Sequence, residues 1–586
     1  MMSVALPLVA TLAASNPAQA TPSSETSQRV ALTARDAVDL VRGEEILVDF
    51  VDDISTQAVR AYEDNLDIEL ELNSIHSEDE RIYTGHVDLS RIREVLAALQ
   101  DRQDIEYAEP NYVFELIEPV TGDERTETFR PEKPSPVVND PRYGEQWSFP
   151  LIEVPAAWET ANGQGVVVAV IDTGVAFEDH KGFRKVEDLG GTAFVTGYDF
   201  VKDTHHPNDD HGHGTHVAGT IAQTTNNGVG VAGVAPEAVI MPLKVLSKRG
   251  AGTAGDIADA IRFAADEGAQ VINMSLGGGP RSFVMESAIK HAVKKGVLVV
   301  CAAGNGAREK VEYPAAYKGS LAVSSIGPDR KLAFYSSYGA QVSVTAPGGN
   351  KQLGEAAGIL QNTILPVSVD RTDAYLAYQG TSMAAPHVAG LAALVISAGV
   401  DDPEMVRHIL ESTATDLGPR GHDPRYGHGL INARAAVQAA KNTRSGPGWL
   451  AVAAALLMGL LTRGGASLRL GALLGGGVAA SAFGLAGMGG FVATALWASV
   501  GIPLILVVGM LHQRRWRAVL LGLATGWAML LLYLGIQLPW DLIGMPGTGS
   551  WLDRIWLLIN ALATGWLAWR IRGLIQRARA ASQDRS

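Results

Sequence analysis

At 586 residues the chain has room for several domains, and 47% hydrophobic with 19% charged residues is too apolar for a wholly soluble protein of this length. Charge is unevenly placed: residues 441–586 hold 13 Lys and Arg against 3 Asp and Glu, a surplus of +10, which leaves −24 on the first 440 residues. An acidic front and a basic, apolar back point to two parts in different surroundings, and no nucleic-acid partner is expected. The single cysteine, Cys301, excludes an intramolecular disulfide and reads as a buried core thiol.

Residues 1–20 have an apolar core and end Ala18-Gln-Ala20, the pattern of a secretory signal cut after Ala20, although the positively charged start is missing. From residue 44 to 117 the pattern predicts strand (Glu45 to Val51), helix (Ile54 to Glu63), strand (Ile68 to Asn73), strand (Arg81 to Val87), helix (Leu89 to Leu99) and strand (Ile105 to Phe114). That order is compatible with a small α+β sandwich of the ferredoxin-like kind. Residues 118–139, rich in Glu, Thr and Pro, read as an exposed linker.

Three later stretches each set a polar side chain close to glycine. Val166-Val-Val-Ala-Val-Ile-Asp172-Thr-Gly174 is a continuous apolar run, read as a buried parallel strand ending in a carboxylate at a glycine turn. Asp210-His-Gly-His213-Gly-Thr-His216-Val-Ala-Gly219 opens a short helix with a glycine-flanked histidine. Val297-Leu-Val-Val-Cys-Ala-Ala-Gly304-Asn305 is again an apolar strand, running into a glycine and a side-chain amide. Finally, Gly380-Thr-Ser382-Met-Ala-Ala-Pro-His387 puts a serine among small residues at the start of a helix-forming run from Ala384 to Ile396. By itself such a serine is as well read as a helix cap. In a doubly wound α/β domain, however, sites collect at the carboxyl ends of the strands, where all four segments can converge.

The chemistry then assigns roles. Serine is a poor nucleophile until a base takes its proton, imidazole is tuned for that near neutral pH, and a carboxylate must orient the imidazole and stabilise its cation. Ser382, His213 and Asp172 fill these places, and the Asn305 amide beside the Ser382 backbone N–H can donate to a developing oxyanion. The chain order Asp, His, Ser is that of subtilisin.

Over about residues 139 to 440, these four motifs resemble those of the subtilisin-like serine peptidases. The resemblance implies a doubly wound parallel sheet, peptide-bond hydrolysis and protein or peptide substrates. It makes Ile105-Glu-Tyr-Ala-Glu-Pro-Asn-Tyr112 similar to the end of an inhibitor-type propeptide, a folding assistant that leaves its last strand in the substrate cleft until cut. Self-processing is then expected in the linker, with a mature start near Asn139-Asp140, as in thermitase-like members. Ser275-Leu276-Gly277-Gly-Gly279 resembles the edge strand that pairs with substrate backbone, with Ser275, Leu276, Gly277 and Gly304 as the substrate-binding residues this implies. Glu312 falls where the family places the floor of the primary side-chain pocket, where a carboxylate would favour Lys or Arg before the scissile bond. The loop Thr224-Thr-Asn-Asn227-Gly-Val229-Gly-Val231 lines up on the family's calcium loop, with Asp140 as carboxylate; the second carboxylate is not placed, and an Asn-Gly turn is the plain alternative. Asp199 and Asp203 read as a solvated acidic loop rather than a second ion site.

The peptidase domain is expected to span 140–440 and close with Tyr426-Gly-His-Gly-Leu-Ile-Asn432-Ala, followed by a polar hinge at 441–448. Candidate membrane spans then run Trp449–Leu461, Leu470–Gly489, Phe491–Leu511, Ala518–Ile536 and Ile555–Trp569, an all-α bundle over 449–572 with a tail at 573–586. Arginine-rich loops alternate with loops holding only Arg554, which puts the peptidase outside the cytoplasmic membrane. The leading expectation is a membrane-anchored serine endopeptidase matured from a propeptide form. The alternative is a membrane transporter or partner-binding module with an attached maturation peptidase.

Overall fold

The computed structural model describes residues 41–100, 102–116, 129–130, 138–365, 372–444, a few positions between 520 and 528, and 551–583. The predicted signal, most of the linker, three of the five predicted spans and most of the fourth lie outside these residues. The chain divides into two units, 1–440 and 441–586.

The first unit begins with the predicted βαββαβ order: β1 (Val41–Phe50), α1 (Thr56–Leu66), β2 (Leu70–Leu72), β3 (Ile82–His86), α2 (Ile92–Leu99) and β4 (Ile105–Glu115). The strands pair antiparallel in the order β2-β3-β1-β4. Ser55 starts α1 by accepting from Ala58 N–H, as an N-cap hydroxyl does. Alternation along β1 sends Ile46, Val48 and Phe50 onto the helix side with Val59, Val95 and Leu99. Leu47 faces the other way, with Ile82, Tyr112 and Phe114, into a second core shared with the peptidase-like part.

That part is a parallel sheet built from β5 (Val167–Asp172), β6 (Ala193–Phe194), β7 (Tyr198–Asp199), β8 (Val239–Lys244), β10 (Val271–Met274), β11 (Leu298–Ala302), β12 (Ser320–Ile326) and β13 (Val342–Pro347). Its order is β13-β12-β11-β10-β5-β8-β6, with β7 also on β8. Helix α3 (His213–Ala222) and the long α6 (Thr381–Ser397) cover one face, while α4 (Ala254–Asp266) and α5 (Phe283–Lys294) cover the other. Both faces are therefore dry, which is why the strands read as unbroken apolar runs: Val168 and Val170 enter one core, Ala169 and Ile171 the other. Cys301 is fully buried in the second core, with its thiol pushed up to about 12 by burial. The predicted core reading holds.

Chain order reverses at β5, whose neighbours are β8 on one side and β10 on the other. A crevice at such a switch point is where ligands meet α/β sheets. The short strand β9 (Ala251–Thr253) borders it and belongs to the N-terminal sheet instead: Val113, Phe114 and Glu115 of β4 pair with Thr253, Gly252 and Ala251. A hairpin of β14 (Ile359–Ile364) and β15 (Asp373–Tyr378) and the helices α7 (Pro403–Ser412) and α8 (Ala433–Arg444) complete the unit.

In the second unit α9 (Trp551–Gln583) contains the fifth predicted span. Among the described residues no helix is long and apolar enough to cross a membrane. The reason is local: Arg554 and Arg570 bracket an apolar run of only about 15 residues, roughly 22 Å of helix against a hydrocarbon core of about 30 Å. Ile555–Trp569 is corrected accordingly.

Candidate active site

Asp172 ends β5 and is wholly buried; its Oδ1 accepts from the Thr173 N–H at 2.7 Å and faces His213 Nδ1 at 2.8 Å. The carboxylate thereby holds the proton on Nδ1 and leaves Nε2 basic. His213 is the first residue of α3. Asp209 fixes the entry to that helix: its two oxygens accept from Thr173 Oγ1, the N–H groups of His211, Gly212 and Thr215, and Thr215 Oγ1, at 2.6–3.0 Å. Gly212 has φ +104°, and a Cβ there would sit 2.6 Å from the Ile364 carbonyl oxygen, so only glycine makes this turn.

Ser382 lies in the first turn of α6, which packs on α3; Met383, Ala384 and Val388 share one core with Val217, Ala218 and Ile221. Pro386 stands in the same helix and has no N–H to offer the Ser382 carbonyl four residues back. That carbonyl accepts instead from Ser275 Oγ at 2.8 Å, while Ser382 Oγ reaches the Ser275 carbonyl at 3.1 Å. The serine backbone is thus clamped to the strand after β10. Asn305 Oδ1 accepts from Thr381 N–H and Thr381 Oγ1 at 2.9 and 2.8 Å, which turns its Nδ2 toward Ser382. A point beside Gly380, where a side chain would begin, lies 3.4 Å from Asn305 Nδ2 and 3.6 Å from the Ser382 nitrogen. Two N–H donors therefore border one small space next to the serine.

The cleft above holds a strand of the chain's own. Glu115 and Gly277 exchange N–H···O bonds at 3.1 and 3.3 Å, on the side of β4 away from β9, and Leu116 N–H donates to Gly250 at 2.8 Å. Ser275 and Leu276 are buried beneath, and Gly304 and Glu312 adjoin. Gly277, Gly304 and Glu312 thus adjoin the chain's own strand, and Ser382 and Asn305 lie beside them through Ser275 and Thr381.

The predicted calcium loop is held from two sides. Asp140 accepts from Asn226 and Asn227 N–H at 2.9 and 3.1 Å, and Asp188 from Asn227 Nδ2 and Val231 N–H at 2.8 and 2.9 Å. Both carboxylates are buried, neither is in an ion pair among the described residues, and Asp188 is pushed up to about 6, first by burial and further by the charge of Asp140. Among the described residues no group of three or more His, Cys, Asp or Glu could hold a metal. Asp199 and Asp203 are engaged by protein groups: Val201 and Lys202 N–H on the former, the Tyr198 hydroxyl on the latter.

Sequence reading missed four features. Asp209 carried a signal, an acid just ahead of a helix start. Lys244 did not: this lysine is fully buried at the end of β8, where its Nζ donates to the Thr173 and Leu246 carbonyls and to Asp210 at 2.6–2.8 Å, tying down the turn after Asp172. The other two are Asp188 and the β9 edge.

The Subtilase family profile matches residues 163–429. Thermitase from Thermoactinomyces vulgaris is 38% identical over 301 residues, 51% of this chain and 99% of its own length. The chain belongs to the subtilase family. This subtilase is also 38% identical over 351 residues to the thermophilic serine proteinase of Bacillus sp. strain AK1, covering 60% of one and 77% of the other. Among solved structures it is similar to fervidolysin from Fervidobacterium pennivorans, a keratinolytic enzyme related to subtilisin (29% identity, TM-score 0.57, 68% of this chain and 62% of that one). It is a subtilisin-like serine protease.

Proposed function

We propose that this subtilase cuts peptide bonds through an acyl-enzyme with Ser382 as nucleophile, His213 as base, Asp172 as its orienting carboxylate, and Asn305 with the Ser382 N–H as oxyanion donors. The observation that carries this reading is the buried Asp172–His213 pair at 2.8 Å, its histidine opening α3, which packs on α6, the helix whose first turn bears Ser382. Ser382 Oγ attacks the scissile carbonyl carbon as its proton passes to His213 Nε2; the carbonyl oxygen takes up negative charge beside the two N–H donors. His213 returns the proton to the leaving amine, and water, deprotonated by the same imidazole, releases the acid. Backbone pairing at Gly277 and at Gly250 to Thr253 aligns the substrate and is nearly blind to its side chains.

The N-terminal domain acts in this reading as propeptide and inhibitor, since its last strand already makes those backbone pairs. Intact masses of the wild type and Ser382→Ala test it: the wild type should lose its N-terminal domain through a cut in 117–139, and the variant should keep it. Retention by both would sink the self-processing.

A calcium ion suits the loop between Asp140 and Asp188, because two buried like charges astride one loop are relieved by a hard cation with oxygen ligands. Asn227 and the carbonyls of Thr224, Val229 and Val231 would complete the set, and the ion would only tie the loop down.

We further read the chain as carried on the outer face of a cytoplasmic membrane, on the strength of its sequence: the four apolar runs between 449 and 536 and the alternating arginine loops. Along α9, Ile559, Leu562, Trp566 and Trp569 form an exposed apolar stripe, which suits lipid contact without spanning.

A further inference from the structure

The strand in the cleft has a fixed register against the serine. Glu115 and Gly277 form a closed antiparallel pair, each N–H donating to the other's carbonyl, and Leu116 turns its N–H the opposite way, to Gly250. On the facing edge Ser275 stands two residues before Gly277, and its carbonyl lies 3.1 Å from Ser382 Oγ. In an antiparallel ladder a step of two from Gly277 to Ser275 is matched by a step of two on from Glu115. Counted in this way, the residue that the ladder would offer to Ser382 is Ile117, which lies outside the described residues.

A second contact concerns the linker beyond that point. Phe129 donates its N–H to the Leu353 carbonyl at 2.6 Å, and its ring meets Trp147 edge to face, with centres 6.1 Å apart. Trp147 is itself tied to the Gly358 carbonyl through Nε1 at 2.8 Å and belongs to the core shared with α3 and α6, against which Phe129 packs. The linker therefore has an anchor on the peptidase part that owes nothing to the N-terminal domain.

We propose that the chain cuts itself between Ile117 and Glu118, and that the linker from Glu118 onward stays with the peptidase, fixed at Phe129. Ser382 Oγ adds to the Ile117 carbonyl carbon as its proton passes to His213. The carbon–nitrogen bond to Glu118 then breaks, and His213 delivers that proton to the freed Glu118 amine. Water cleaves the Ile117 ester, leaving a carboxylate and restoring Ser382. The bond is chosen by backbone register rather than by side chain: Ile117 is uncharged, and the Glu312 carboxylate already has Arg308 and Ser337 beside it. The processed chain then starts at Glu118 and not near Asn139.

The proposal rests on the peptidase reading above, and the test separates the two. Purified full-length wild type and Ser382→Ala are incubated and followed by intact mass and N-terminal sequencing. Wild type should give a short piece ending in Ile117 and a long piece that begins at Glu118 and persists; Ser382→Ala should give neither. A Ser382-dependent cut at any other bond overturns the register. Inserting one glycine between Leu116 and Ile117 should move the cut to the bond before Ile117, so that the long piece gains this residue. A cut that stays after Ile117 would show choice by side chain and overturn the register as well. Phe129→Ala should speed later trimming toward Asn139 by roughly tenfold, since an unanchored segment opens more often. Equal trimming of the two proteins overturns the anchor. Wild type and Ser382→Ala behaving alike counts against the peptidase reading, and with it against this one.

Discussion

The position of His213 depends on a side chain that does no chemistry. Five donors converge on Asp209, all buried or nearly so, and they link the turn after Asp172 to the first turn of α3. Stranding buried donors costs about 1–3 kcal/mol each, so Asp209→Ala should lower stability by about 4 kcal/mol, at the upper end for single changes. Asp209→Asn keeps one acceptor oxygen and should fold better, yet lose kcat by roughly a hundredfold with KM little changed, because a base displaced by about 1 Å costs that much. Thermal unfolding and steady-state kinetics of the two variants check this; an Asn variant as active as wild type would remove Asp209 from the positioning of His213. Loss of Ser382 or His213 should cost far more, about 10⁶ in kcat, a magnitude measured for subtilisin itself and borrowed here. Two further histidines set the acid limit of the fold. Burial pushes His216 down to about 3, with His213's charge adding, and His387 down to about 4. An unfolded histidine binds its proton near 6.5, so the unfolded chain holds more protons than the native one between about pH 6.5 and 4. Stability contributed by keeping these rings neutral is full above 6.5 and is lost as pH falls through that window. Unfolding midpoints measured from pH 7 to 4 should decline, and less steeply in His387→Gln.

At the scale of elements, the docking of the N-terminal domain has the opposite pH sense. Glu109 of β4 caps α5, accepting from Ser282 Oγ and from Phe283 and Val284 N–H, and is nonetheless pushed up to about 7, by burial above all. Asp49 of β1 is pushed up to about 8, again by burial, against the pull of Arg262 on α4. Their folded pKa values exceed the unfolded ones near 4, so the stability they contribute is present at low pH and is lost as pH rises through 7 to 8. The domain in Ser382→Ala, which cannot cut itself, should therefore be clipped by an added protease faster at pH 9 than at pH 6, and Glu109→Gln should flatten the difference. Equal clipping at both pH values would show that these carboxylates do not govern docking. The strand and helix order of this domain was legible because its period-2 and period-3.6 patterns are short, clean and bounded by turns; the found edges differ from the predicted ones by a few residues. The four candidate-site motifs were legible as structure because each ends an apolar strand or opens a helix. What escaped the sequence is what depends on distant partners: Lys244 looks like a misplaced charge until Asp210 and two carbonyls meet it, and Asp188 meets the 224–231 loop only in the folded chain. The β9 edge is three residues long and small, with no period to read.

For the whole molecule, the question is whether the two units work together. The acidic first unit closes its own core: α8 buries Ala433, Ala436, Val437 and Ala440 with Ile152 and Leu430, and all the catalytic and cleft residues precede it. Among the described residues, the hydrogen bonds of the proposed triad, oxyanion donors and backbone-pairing edges are made within the first unit. A chain ending at Lys441 should therefore fold, process itself and hydrolyse soluble peptides with the kcat/KM of the full protein. The basic, apolar remainder should decide only where that activity sits, since its +10 surplus and apolar runs favour a lipid surface carrying negative charge on its inner side. Cell fractionation makes the comparison: the full chain should sediment with membranes and resist extraction by salt, while the chain ending at Lys441 stays in the supernatant with its activity intact. Were the shorter chain to process itself normally yet cut peptides far more slowly, the second unit would have to contribute to catalysis. The separation of anchor from enzyme would then fail, even with the triad assignment standing.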